Sequence, residues 1–292
     1  DNYKVFVAAY RCKLQSVMQK SSMGKEWQPI LIDGWNVNDT VYFLGATVTV
    51  LSGERVVYGS RGEIVGASED PTLPDANERV LVHFPGKRIT MSCKSGTEIS
   101  AVAPALSEGW CTSDVAYFVG NTTSFPSGDK VVYGCSGEIL GECDNPRLSD
   151  ASERVLVHFR GSKKTVNCHA GEELSRVPPM LSNGWCTGDT AYFIGVTATL
   201  PSGEKFVYGS RCEVLSECSN PGLPYASERV LVHFLGNQGT MNCHAREEIS
   251  KVAPVLSNGW RTGDIAYFLG VTETFPSGDK VVYGLQGEIV GE

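Results

Sequence analysis

Ten cysteines and five histidines are the residues of this chain whose types and spacing are best suited to chemistry. No C-x-x-C pair occurs, so the usual ligand spacing of a zinc ribbon is missing. Cys111 with Cys143, and Cys186 with Cys218, are spaced alike, and in the equivalent earlier stretch both are replaced together by Asn36 and Ser68. Joint gain or loss suggests two disulfides, each closing a loop of about 30 residues and stabilising by about 3 kcal/mol in an oxidising compartment. Reduced cysteines duplicated along with their surroundings explain the pattern equally well. Cys93, Cys168 and Cys243 recur at one strand position and read as small buried hydrophobes. Cys12, Cys135 and Cys212 have no counterparts and read as loose thiols.

A metal site would need His158 to face His169, and His233 to face His244, across a hairpin. His83 has Lys94 in the partner position, and two imidazoles without a carboxylate make a weak donor set, so an outward strand face is the better reading. The sequence has no G-x-S-x-G elbow, H-E-x-x-H helix or glycine-rich phosphate loop. Repeated acids such as Asp114, Asp129 and Glu138 fit turns and strand edges. Near-copies of one modest surface do not make the single asymmetric site of an enzyme, so the expectation is a non-enzymatic protein without cofactor or metal.

The elements that carry these residues repeat. GWNVNDTVYF begins at Gly34, GWCTSDVAYF at Gly109, GWCTGDTAYF at Gly184 and GWRTGDIAYF at Gly259, a constant period of 75 residues. Residues 109–134 and 259–284 agree at 19 of 26 positions. In this register residues 1–33 are a diverged second half of a repeat, 34–108, 109–183 and 184–258 are whole repeats, and 259–292 is a first half. The two half-repeats could complete one further module. A second frame gives four units, 4–67, 79–142, 154–217 and 229–292, and the chain could also be a fragment of a longer array.

Within a repeat, short runs rich in Val, Ile, Tyr and Phe alternate with Gly, Pro, Ser and Asp, which is strand and turn chemistry. In RVLVHF from Arg79, Val80, Val82 and Phe84 share one face and Leu81 and His83 the other. GEIVG from Gly62 reads as a tight hairpin, and EISAVAP from Glu98 as one helical turn stopped by proline. Five short antiparallel strands in this length imply a small barrel, closed so as to leave no edge. The expected fold is therefore all-β, a tandem array of small barrels.

The pattern GD-x-x-YF-x-G, G-x-x-GE-[IV]-[VL]-[GS] and RVLVHF resembles the KOW and other SH3-like small barrels. In the third copy Gly188, Asp189, Tyr192, Phe193, Glu213 to Leu215 and Arg229 to Phe234 carry it, with Cys212 where the other copies hold Gly62, Gly137 and Gly287. It also resembles a tandem repeat in proteins of unicellular algae, which implies a scaffold or linker subunit. The KOW resemblance implies contact with RNA, but a net charge of −8 opposes phosphate binding. The basic pairs Lys87-Arg88 and Lys163-Lys164 become Asn237-Gln238 in the next copy.

An array offers repeated contact surface. The candidates for a partner-binding face are Trp35, Trp110, Trp185 and Trp260, which together with the later tyrosines form a set of which half or more is expected to be core, and the loop-tip residues Phe125, Leu200 and Phe275 beside PSG. Tyr58, Tyr133, Tyr208 and Tyr283 recur later in the module. Tandem weak contacts gain avidity. The expected function is a scaffold or linker binding protein surfaces in a larger assembly. The alternatives are a disulfide-stapled structural protein of the secretory route or an organelle lumen, in which Asn38 and Asn121 would be glycan acceptors, and an RNA- or carbohydrate-binding module. Localisation stays open between cytoplasm and those compartments. No run approaches the ~18 apolar residues of a membrane helix, and no leader is evident, though the chain could be peripheral to a membrane complex.

Overall fold

The computed structural model describes residues 31–50, 53–68, 73, 75–85, 89–124, 130–199, 205–235 and 239–292. Two compact units divide the chain, Asp1–Pro104 and Ala105–Glu292. Among the described residues every regular element is a strand or a three-residue 3-10 turn.

In the first unit, β1 (Thr40–Phe43), β4 (Arg61–Ala67), β5 (Arg79–Phe84), β6 (Ile89–Lys94) and β7 (Ile99–Ser100) form an antiparallel sheet in the order β6-β5-β4-β1-β7. A separate hairpin joins β2 (Val48–Thr49) to β3 (Arg55–Val56). The expected alternation holds, since Val80, Val82 and Phe84 are fully buried while Leu81 and His83 are half-buried. Val41 and Phe43 of β1 fill the same core with Ile64, Cys93 and Ile99. The rings of Phe43 and Phe84 meet edge to face at 6.1 Å.

The sheet order ends on β6 and β7, and no pairing among the described residues joins these two strands. Two sequence expectations need correction. GEIVG is no hairpin but the middle of β4, with a bulge between Ile64 and Gly66. At Gly62 a Cβ would lie 2.5 Å from Val82 Cγ1, so in this copy the valine and Phe84 fill the space that a side chain would take. EISAVAP does not coil: Ile99 and Ser100 form β7, and the 3-10 turn comes later, at Ser107–Gly109.

In the second unit the pattern appears twice more. β8 (Val115–Phe118), β11 (Ser136–Glu142), β12 (Arg154–Phe159), β13 (Thr165–His169) and β14 (Leu174–Ser175) form one sheet, with the hairpin β9 (Thr123–Ser124) and β10 (Lys130–Val131) beside it. β15 (Thr190–Phe193), β18 (Arg211–Glu217), β19 (Arg229–Phe234), β20 (Thr240–His244) and β21 (Ile249–Ser250) form the next, with the hairpin β16 (Ala198–Thr199) and β17 (Lys205–Phe206). Strand order, bulge and the edge-to-face phenylalanine pair recur in both. After them come β22 (Ile265–Tyr267) paired with β25 (Gln286–Glu288), and β23 (Glu273–Thr274) paired with β24 (Lys280–Val281).

Cys212 is not a loose thiol. It is fully buried at the glycine position of the other copies, and its Sγ lies 3.4 Å from the Ala191 carbonyl. The third copy also carries Phe206 where the others have Val56 and Val131, and this ring stacks on Phe234 at 4.1 Å.

Successive copies in the second unit dock through one repeated contact. The Tyr133-Gly134 turn meets the following copy, where Thr187 Oγ1 donates to the Gly134 carbonyl (2.7 Å) and the Glu217 N–H to the Tyr133 carbonyl (3.0 Å). One period on, Thr262 Oγ1 donates to the Gly209 carbonyl (2.5 Å) and the Glu292 N–H to the Tyr208 carbonyl (2.8 Å). Gly134 has φ +88°, and a Cβ there would sit 2.6 Å from Leu181 Cδ2, so backbone conformation and close approach both demand glycine.

Candidate contact surface

The tryptophans follow a short turn in which one residue, Asp33, Glu108, Asn183 or Asn258, takes a left-handed conformation with φ between 53° and 59°. That turn aims the indole inward. Trp110 and Trp185 are only 1% and 3% exposed, and their Nε1–H groups donate to the carbonyls of Ala170 (3.2 Å) and Ala245 (2.9 Å). Arg176 lies over the Trp110 ring at 4.0 Å and Lys251 over Trp185 at 5.0 Å, so cations cover what remains. These two indoles fasten the start of a copy to its sheet and have no face free for a partner. Trp35 is half-buried and donates to Ser95 Oγ (2.9 Å). Trp260 is 41% exposed.

Of the loop tips, Phe125 and Leu200 lie outside the described residues, as do residues 1–30, Asp129 and both Lys87-Arg88 and Asn237-Gln238. Phe275 is 48% exposed at the end of the β23–β24 hairpin.

A recurring apolar surface escaped the sequence reading. Val102, Val177 and Val252, at one position of three copies, are 74%, 69% and 69% exposed. Each is held outward by a serine turn, in which the valine N–H donates to Ser100, Ser175 or Ser250 Oγ at 3.0 to 3.1 Å. Met180 and Val255, three residues further on in their copies, are 74% and 56% exposed. The signal was present in S-x-V, since a serine two residues before a valine can hold that valine in a turn instead of a helix.

Several titratable groups bond within the fold. Arg79 bonds Asp75 (2.8 Å), the Ser92 carbonyl (3.1 Å) and Glu98 (3.0 Å), and Arg154 repeats this with Asp150, Asn167 and Glu173. The guanidiniums of Arg79 and Arg154 hold the Asp75 and Asp150 carboxyls below the usual range. Asp114 caps its own turn by accepting the Cys111 N–H (2.8 Å). His169 stands opposite Arg154 in the strand register, and His158 opposite Thr165, so the two histidines do not face each other; His233 and His244 differ in the same way. His169 and His244 instead meet Glu153 (2.9 Å) and Glu228 (3.3 Å). Among the described residues no cluster of three or more His, Cys, Asp or Glu side chains is placed to hold a metal ion.

Burial pushes the Cys93, Cys168 and Cys212 thiols up to about 12, and Cys243 higher still, which suits packing and not nucleophilic attack. Cys111, Cys143, Cys186 and Cys218 stand as free thiols. Cys143 Sγ approaches the Asn145 carbonyl (3.5 Å) and Cys218 Sγ the Asn220 carbonyl (3.2 Å), each within its own loop. In this state all four are expected to take up an alkylating agent in denaturant without reductant, as read by peptide mapping. Protection of all four until reductant is added would establish the two disulfides.

No protein-family model matches the chain, and no curated protein is significantly similar to it. Among the described residues no helix is long and apolar enough to cross a membrane.

Proposed function

We propose that this chain is a non-enzymatic scaffold or linker: a tandem array of small SH3-like β units with a 75-residue period, which binds protein surfaces through positions repeated from copy to copy. Units 34–108, 109–183 and 184–258 accord with the five-stranded sheets, since all five strands of each fall inside one unit, whereas the frame 4–67, 79–142, 154–217 and 229–292 would divide each of these three. The observation that carries the reading is the outward valine of Val102, Val177 and Val252, fixed by the same serine turn each time. An apolar side chain held in water by a dedicated hydrogen bond is a contact surface, and one per copy suits avid binding of a repetitive or extended partner. The acidic balance favours protein over nucleic acid.

The test is capture from an extract of the native source on the immobilised chain, with protein, RNA and glycan assayed in the eluate. A variant carrying Val102→Asp, Val177→Asp and Val252→Asp should keep its fold, as surface changes cost about 0.5 kcal/mol or less each. It should lose the defined protein partners. RNA or glycan in the eluate, or undiminished capture by the variant, would overturn the reading.

A further inference from the structure

The third copy differs from the second around its tryptophan, and the differences share one sign. Asn183 and Arg246 stand where the second copy has Glu108 and Gly171, which removes one negative charge and adds one positive. The two positions are neighbours in both copies. Arg246 Nε donates to Asn183 Oδ1 (2.8 Å), and a Cβ at Gly171 would meet Glu108 Cγ at 3.5 Å. Arg246 and Lys251 line one hollow of about 370 Å³, whose apolar wall is Trp185 and Ile249.

The Arg246 side chain is exposed and bonded through Nε, and among the described residues it makes no ion pair, so its two terminal nitrogens can take an acceptor. Lys251 Nζ reaches the Gly184 carbonyl (3.1 Å) and Asp189 (3.3 Å), yet its side chain is still 58% exposed. Arg176 is its counterpart in the second copy, so a cation over the indole is shared and Arg246 is what the third copy adds. Val252, the outward valine of this copy, follows Lys251 directly. The exposure belongs to the position within a copy: Glu108, Gly171, Arg176 and Val177 are exposed too, in a copy that a whole copy follows.

The surrounding carboxylates define what the hollow can hold. Asp189 lies on Lys251, Glu228 lines the adjoining hollow with Arg246, and Glu247 is exposed beside it. A phosphate chain carries charge at every residue and would meet all three, whereas a lone carboxylate on Arg246 and Lys251 meets two cations. We propose that the third copy takes a glutamate or aspartate side chain of an extended partner segment, its carboxylate on Arg246 and Lys251 and a neighbouring apolar side chain on Val252. This rests on the valine surface as a contact site and adds specificity to it. The copies are then unequal, and an acidic side chain sets the register of the partner along the array.

The test is titration of the full chain with two acetylated, amidated hexapeptides, one alternating leucine with glutamate and one alternating leucine with glutamine. The indole N–H signals of Trp185 and Trp110 in two-dimensional NMR report on the two copies separately. The glutamate peptide should shift Trp185 to saturation and leave Trp110 in place, and the glutamine peptide should bind at least about tenfold more weakly. Asn183→Glu with Arg246→Gly, the residues of the second copy, should remove the response. Glu108→Asn with Gly171→Arg should confer it on Trp110, since position 171 has room for a side chain. Equal binding of the two peptides, an unmoved Trp185 signal, tighter binding of oligothymidylate, or an unchanged response in the first double variant would overturn the proposal. Val252→Ser separates it from the reading on which it rests. Weaker binding of the glutamate peptide is expected there. Unchanged binding with the glutamate preference intact would support the carboxylate site and overturn the valine as its neighbour, whereas equal binding of both peptides that Val252→Ser abolishes would overturn the carboxylate site and leave the valine surface standing.

Discussion

Replacing Trp185 by alanine is expected to destabilise the 184–258 region by about 3–5 kcal/mol, while the same change at Trp260 should cost about 1 kcal/mol or less. The difference follows from surroundings, not from residue type. Trp185 is 3% exposed, bonds the Ala245 carbonyl from Nε1 and lies beneath Lys251, so truncation opens a cavity and strands a buried carbonyl. Trp260 is 41% exposed and has less packing to lose. Urea unfolding monitored by tryptophan fluorescence and by circular dichroism measures both changes. Equal losses at the two positions would contradict the assignment of Trp185 to the core. An intact fold with lost partner binding in the Trp185 variant would return the indoles to the contact surface.

The second large effect is expected at a joint. Gly134→Val should cost about 2–4 kcal/mol, combining the strain of a β-branched residue at φ +88° with overpacking against Leu181 Cδ2. The cost should appear mainly as lost coupling. Arrays gain stability from neighbour interfaces, and this interface joins the Tyr133-Gly134 turn to Thr187 and Glu217. In the wild-type chain, the two copies between 109 and 258 should unfold together. In the variant the unfolding curve should broaden or separate into two steps, with a lower denaturant dependence for each. A single sharp transition shifted to lower urea would mean that the glycine matters only to its own turn.

The sequence conveyed the strands well and the sites poorly, for a physical reason. In RVLVHF the alternation of burial is written into residue types, because a strand with one buried face must place Val80, Val82 and Phe84 on the same side. Glycine was harder to read. Gly62 signals a turn in isolation, yet it lies inside β4 because Val82 and Phe84 occupy the space a side chain would need, and that is a fact about neighbours distant in sequence. Cys212 shows the same limit, since a lone cysteine at that position is buried beneath strands that only the fold brings together. The tryptophans drew attention as large aromatics, but their depth depends on a carbonyl 60 residues ahead. Val102, Val177 and Val252 were overlooked because a valine before Ala-Pro or Pro-Pro resembles the end of a helix, and only the serine turn reveals its outward direction.

These features together describe small β units, joined within Ala105–Glu292 by a repeated turn-to-strand contact, three of which present the same outward valine. On the proposed scaffold reading the copies act by avidity. The measurement that addresses this most directly is binding of the captured partner to the wild-type chain, to the three single valine-to-aspartate variants and to the triple variant, with circular dichroism on each as a check on folding. Each single change should weaken binding several-fold, and the triple change by at least about 100-fold with the spectrum unaltered. Binding that survives the triple change, or that disappears only when the fold does, would contradict a scaffold working through its repeated valines.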